Sequence, residues 1–227
     1  MKQITPEIIF SVGPVDIADS VVITWCGMAV AIALGYAAGR RLTLYPRKWQ
    51  NLLEAAVDAV NSAIEEVMER DPWPFMPVIF TLWFSIGAAN LTGIVPGLIS
   101  PTRDISTAAA LAALSFFSVH YYGIRFMGLR NYVKHYFEPV WILLPFHIIS
   151  EVSRTLALML RLFGNILSGE MVAGVLLIVA GFLVPVPFAF LEVVVAILQA
   201  YIFGMLTLIF IAAGIKTIES EKRREAT

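Results

Sequence analysis

Residues 145–185 read PFHIISEVSRTLALMLRLFGNILSGEMVAGVLLIVAGFLVP, with prolines only at the two ends. The composition between them suits a helix almost throughout. At 1.5 Å per residue, about forty residues of helix extend about 60 Å, roughly twice the ~30 Å hydrocarbon core of a bilayer. Such a helix is bent near Gly164 or Gly169, or strongly tilted, or it is really two helices. Gly181 to Pro187 marks the break, after which Phe188 to Ile215 returns as a second long apolar helix. The pattern predicts a membrane-embedded helical hairpin, steeply tilted, over 139–183 and 187–216.

Arg161 is the anomaly in this hairpin. Even on a lenient insertion scale, an arginine at mid-bilayer costs roughly 2.5–3.5 kcal/mol, and its pKa above about 12 bars escape by deprotonation. No acid stands three or four residues away on either side. At about 100° per residue, Arg154 and Arg161 fall within about 20° of each other, and Asn165 lies about 40° further round. Glu170, nine positions on, faces the opposite side of the helix. On the return helix, Glu192 and Gln199 are seven apart and share a face. Folding the hairpin near residue 180 brings Gln199 level with Arg161 and Glu192 level with Glu170; the proline-rich turn around 184 offsets this by a few residues.

Each residue also has a plainer reading. Glu151 and Arg154, three apart, can form a local ion pair near the interface. Asn165 and Gln199 can be interhelical hydrogen-bonding glue. Glycines 164, 169 and 174 suit close helix packing, and Asn90 suits packing or solvation of a crevice. The sharper reading is one fixed cation flanked by two carboxylates in separate positions. Carboxylates in a wet crevice carry protons or small cations, and a permanent cation between them blocks a direct leak.

The rest of the chain agrees with a membrane setting. Of 227 residues, 59% are hydrophobic and 15% charged, with a mean hydropathy of +0.79, whereas soluble domains run nearer half apolar and a quarter charged. A net charge of −1 with no basic stripe argues against a nucleic-acid partner. The single cysteine, Cys26, can form no intrachain disulfide. Three scattered histidines and the absence of H-E-x-x-H supply no metal site, and no cofactor is indicated.

Three further spans are expected, at 21–38, 75–95 and 105–124. An amphipathic helix over 49–70 sets Leu53, Val57, Val60, Ile64 and Val67 against Glu54, Asp58, Glu65 and Glu66. It reads as a surface-lying or a solvated connecting helix. The first span is an uncleaved anchor rather than a signal peptide, because Glu7, Asp16 and Asp19 precede it. Basic clusters at Arg40, Arg41, Arg47 and Lys48, at Arg125, Arg130 and Lys134, and at Lys222, Arg223 and Arg224 all sit at cytoplasmic ends if the amino terminus is outside. The expected architecture is a single all-α integral membrane domain over 1–227.

The run from Glu151 through Leu160-Arg161-Leu162-Phe163-Gly164-Asn165 to Gly169-Glu170, followed by Leu198-Gln199-Ala200-Tyr201-Ile202-Phe203, resembles subunit a of the rotary F-type ATP synthases. Weaker similarity extends back through Asn90-Leu91, Pro96 and Pro101-Thr102 to Asp104, so the resemblance covers most of the chain. It implies that Arg161 faces the ion-carrying carboxylates of a rotating c-ring, displaces the ion from each and separates two half-channels. It places Asn165 and Gln199 at that interface, and Glu170 and Glu192 in the ion access path. Near Gly93 the chain lacks an acid that some members carry. The implied partners are the c-ring, stator b subunits, the remaining complex and the lipid bilayer, and the implied location is a bacterial inner membrane. The coupling ion, H⁺ or Na⁺, is not specified. No P-loop pattern G-x-x-x-x-G-K-[ST] is present, so ATP chemistry belongs to partners. A self-contained secondary transporter or channel is the alternative, but it predicts an internal repeat that the halves do not show. An intramembrane enzyme lacks a paired nucleophile and base.

Overall fold

The computed structural model describes residues 8–12, 15–40, 48–93, 100–137, 144–181 and 184–225. Arg41, Arg47, the Pro96 turn, and the expected helix ends at 139–143 and 182–183 lie outside them. A short antiparallel hairpin, β1 (Ile8–Val12) and β2 (Val15–Ala18), pairs Val12 with Val15 and Ser11 with Asp16. The sequence pattern does not announce it. Every other described element is helical: α1 (Asp19–Arg40), α2 (Lys48–Met68), α3 (Met76–Thr92), a 3-10 turn (Pro101–Arg103), α4 (Ile105–Met127), α5 (Leu129–Phe137), α6 (Leu144–Ala180) and α7 (Pro185–Glu225). The chain is an all-α membrane protein in which α4, α6 and α7 are each long and apolar enough to cross a bilayer.

The long stretch resolves into one unbroken helix. α6 runs 37 residues through Gly164 and Gly169, about 55 Å at 1.5 Å per residue, so it must lie oblique to the bilayer normal or project beyond the hydrocarbon. It stops at Gly181, whose φ of 73° is open to glycine and costly to other residues. Pro185 and Pro187 then stand in the first turn of α7, where a missing N–H costs nothing because that donor has no helical partner. Prolines that read as a break in sequence thus start the second helix.

Two buried clusters hold the bundle, and α7 contributes to both. In one, Leu82 and Ile86 of α3 and Ala108 and Ala112 of α4 meet Leu158 and Leu162 of α6 and Ala200 and Phe203 of α7. Alanines on α4 let α6 approach closely, the usual device where lipid removes the hydrophobic drive between helices. A buried hydroxyl pair, Ser115 and Thr207 at 2.7 Å, pins α4 to α7. In the other cluster, Val60, Ile64 and Met68 of α2 pack on Phe75, Ile79, Tyr122 and Tyr132 and on Leu208, Ile211 and Ile215 of α7. The apolar stripe of α2 is therefore docked on the bundle, while Glu54, Asp58, Glu65 and Glu66 stay exposed. Tyr122 Oη donates to the carbonyl of Pro74 at 2.7 Å, fastening the link between α2 and α3 to α4.

A carboxylate cavity and an unpaired arginine

The 3-10 turn and the start of α4 are built by local hydrogen bonds. Asp104 caps α4 by accepting from the Ser106 amide at 3.0 Å, as an N-cap aspartate does. Ser100 Oγ donates to the Ala89 carbonyl at 2.8 Å and lies 2.7 Å from Thr102 Oγ1. Thr102 in turn donates to Asn90 Oδ1 at 2.9 Å. This chain of bonds ties the turn to the end of α3 and fixes the Asn90 amide. Asn90 is 1% exposed, and its Nδ2 has no hydrogen-bond partner.

Asn90 borders a cavity of about 190 Å³ walled by α3, α6 and α7, with Asn165, Gly169, Glu170 and Glu192 on its lining. A volume of that size holds several waters. Glu192 lies against the backbone of Gly169, where an added β-carbon would come within 2.5 Å of its Oε1. Glu170 and Glu192 are thus brought to one site from opposite arms of the hairpin. Arg103 reaches in from the 3-10 turn and places its Nε 3.2 Å from Glu170 Oε2. Glu192 has no ionic partner among the described residues.

A second, smaller recess lies along α6 toward its amino-terminal end. Glu151, Arg154, Thr155, Ser115 and Phe210 line it, and at about 10 Å³ it is at the threshold for one water. Glu151 and Arg154 do not pair. The Arg154 guanidinium stacks over the Phe210 ring at 4.2 Å, while Glu151 Oε2 faces His120 Nε2 of α4 at 3.6 Å. His120 Nδ1 sits 2.9 Å from the Phe116 carbonyl.

Arg161 belongs to neither recess. It is exposed on α6, ten residues past Glu151 and nine before Glu170, about 15 and 14 Å along the axis. Among the described residues it makes no ion pair, hydrogen bond or aromatic contact. Gln199 is buried at 6%, its Nε2 has no partner among the described residues, and no hydrogen bond joins it to Arg161. The pairs Arg154–Phe210 and Gly169–Glu192 nevertheless put residues near 200–203 level with Arg161. Of the eight residues singled out from sequence, Asn90, Asn165, Glu170 and Glu192 meet at the cavity, Glu151 and Arg154 share the recess, and Arg161 and Gln199 stand apart.

Sequence reasoning missed Arg103 and His120. Their separation from their partners, 67 and 31 positions, hides both contacts in the linear pattern. One signal was available: Arg103 and His120 are 17 apart while Glu151 and Glu170 are 19 apart, nearly equal spans along α6 and along α4 with the turn before it.

The family described as ATP synthase A chain matches residues 21–212. The chain belongs to that family. It is 48% identical over 219 residues to the Pelobacter propionicus protein named ATP synthase subunit a 2, covering 96% of each. It is 50% identical over 210 residues to ATP synthase subunit a 1 of Hahella chejuensis, covering 92% of this chain and 89% of that one. Against ATP synthase subunit a of Legionella pneumophila (strain Corby) the identity is 45% over 218 residues, covering 96% and 95%. Membership in the A chain family makes this a non-catalytic membrane component on the stator side of an F-type ATP synthase, and the rest of that complex is its partner.

Proposed function

We propose that the chain carries the coupling ion between two half-channels and the carboxylates of a c-ring, with Arg161 as the barrier between them. The observation that carries this reading is the exposed, unpaired guanidinium of Arg161 set between two polar recesses. A permanent cation on an apolar helix with no anion among the described residues is suited to one supplied by a partner. A ring carboxylate is neutral while it crosses lipid and can ionise beside Arg161. The cavity with Asn165, Glu170 and Glu192 serves the outer half-channel, and the recess with Glu151 and Arg154 the inner one. Asn90 hydrates the outer cavity, and Gln199 keeps the helix surface level with Arg161 in place.

A transmembrane potential supplies about 2.3 kcal/mol per charge per 100 mV, so access from one side and release to the other biases rotation. In this reading the amino terminus is outside and the carboxy terminus cytoplasmic, in a bacterial inner membrane. A stator b subunit holds the chain against the ring. The single membrane domain spans 1–227, and the ion is H⁺ or Na⁺.

The test is Arg161→Ala in the assembled complex. ATP-driven ion pumping should be lost while the complex is recovered in normal amount. Pumping at the original rate would overturn the proposal.

A further inference from the structure

The two carboxylates of the cavity are not equivalent. Glu170 is held at 3.2 Å by Arg103, and this pair is largely shielded, with 14% and 33% of the side chains exposed. Glu192 crosses the same cavity with no ionic or hydrogen-bond partner among the described residues. Asn90, which borders the cavity, keeps a buried amide donor, Nδ2, without a hydrogen-bond partner among the described residues. A carboxylate already matched to a permanent guanidinium has little capacity left for a mobile cation. A bidentate-capable, always-charged arginine makes that match durable.

We infer that Arg103 is a positioning residue that commits Glu170 to a fixed ion pair, leaving Glu192 as the group that exchanges the coupling ion in this cavity. This rests on the half-channel reading above. Among the described residues, the charged side chains lining the cavity are Glu170 and Glu192, and Arg103 stands behind Glu170 as its ion-pair partner. With the pair intact, the mobile ion meets one free negative charge, so it binds and leaves readily. Without Arg103 it meets two, and is drawn in and held. The Asn90 amide on the cavity wall is fixed by the bond from Thr102 to its Oδ1. Gly169 leaves the space in which the Glu192 carboxyl lies.

The test uses the assembled ATP synthase in sealed vesicles, with ATP synthesis rate measured against coupling-ion concentration on the cavity side. Glu192→Gln should lower the maximal rate at least tenfold. Arg103→Gln should lower the half-saturating ion concentration and the maximal rate together, each at least threefold, and Arg103→Lys should restore both to within about twofold. Glu170→Gln takes the negative charge away from beside Arg103 and should slow transfer. The double variant Arg103→Gln/Glu170→Gln removes both charges and should run at least threefold faster than Glu170→Gln alone. A merely structural pair would change assembly, not the half-saturating concentration. If Arg103→Gln does not assemble, the charge-neutral double variant and Glu192→Gln decide the matter. A full rate in Glu192→Gln, an unchanged half-saturation in Arg103→Gln, or a double variant no faster than Glu170→Gln overturns the inference. If Arg161→Ala abolishes coupling but Glu192→Gln does not, only this assignment fails. If neither variant has an effect, the half-channel reading fails as well.

Discussion

The two arms of the hairpin have nearly the same composition and opposite surroundings. In the most apolar window of α6 only 6% of residues are buried within the chain, against 44% in α7. α7 is the post around which α2, α3, α4 and α6 pack, and Ala200, Phe203, Leu208 and Ile211 are enclosed. α6 leans on α4 and on that post along one strip, chiefly Leu158 and Leu162, and leaves Leu156, Leu160, Val175 and Ile178 open. The only charge on the open side between its two recesses is Arg161. Apolarity alone therefore does not separate a helix that holds a membrane protein together from one that presents a surface to a partner.

Breaking that contrast at its functional end gives the largest effect: Arg161→Ala should abolish ATP-driven pumping, read as loss of ion uptake by everted vesicles with the complex still assembled. Phe203→Ala breaks the structural end. A fully buried aromatic in α7 should cost about 3–5 kcal/mol, visible as a lowered thermal midpoint of the detergent-purified complex and reduced recovery. Gly169→Ala probes the joint between the arms. Its new methyl group displaces the Glu192 carboxyl, and a several-fold fall in pumping rate with normal assembly is expected. Leu160→Ala, one residue from Arg161 on the open side, should change the stability of the chain by no more than about 0.5 kcal/mol. A larger loss in the intact complex than in the isolated chain would measure how much of this face the partner covers.

The parts of the site that were legible in sequence share a cause. Arg161, Glu170, Glu192 and Gln199 stand out because each is a polar residue in a long apolar run, and helical geometry alone puts Glu170 opposite Arg161. The level pairing of Glu170 with Glu192 also followed from the length of the two arms. What escaped was carried by elements that look ordinary in sequence. Arg103 sits in a loop after proline, where an arginine has no anomaly to announce it. His120 was passed over because no second histidine stands beside it, although its partner is a carboxylate on another helix. The local pairing considered for Glu151 and Arg154 lost to two tertiary contacts, His120 for the acid and the Phe210 ring for the base.

By itself the sequence determined that this is a helical membrane protein, that its last third is a hairpin of two long helices, and that one arm carries an arginine the bilayer cannot tolerate alone. Those are consequences of hydropathy, helical periodicity and the cost of charge in lipid, all local properties. Only the tertiary structure decided that α7 is core and α6 is surface. It also decided that Glu170 pairs with Arg103, and that Glu192 and Arg161 have no ionic partner among the described residues. Which carboxylate meets which cation depends on how antiparallel helices are offset against one another. That offset is set by the packing of alanines, leucines and a buried hydroxyl pair, which no single segment encodes.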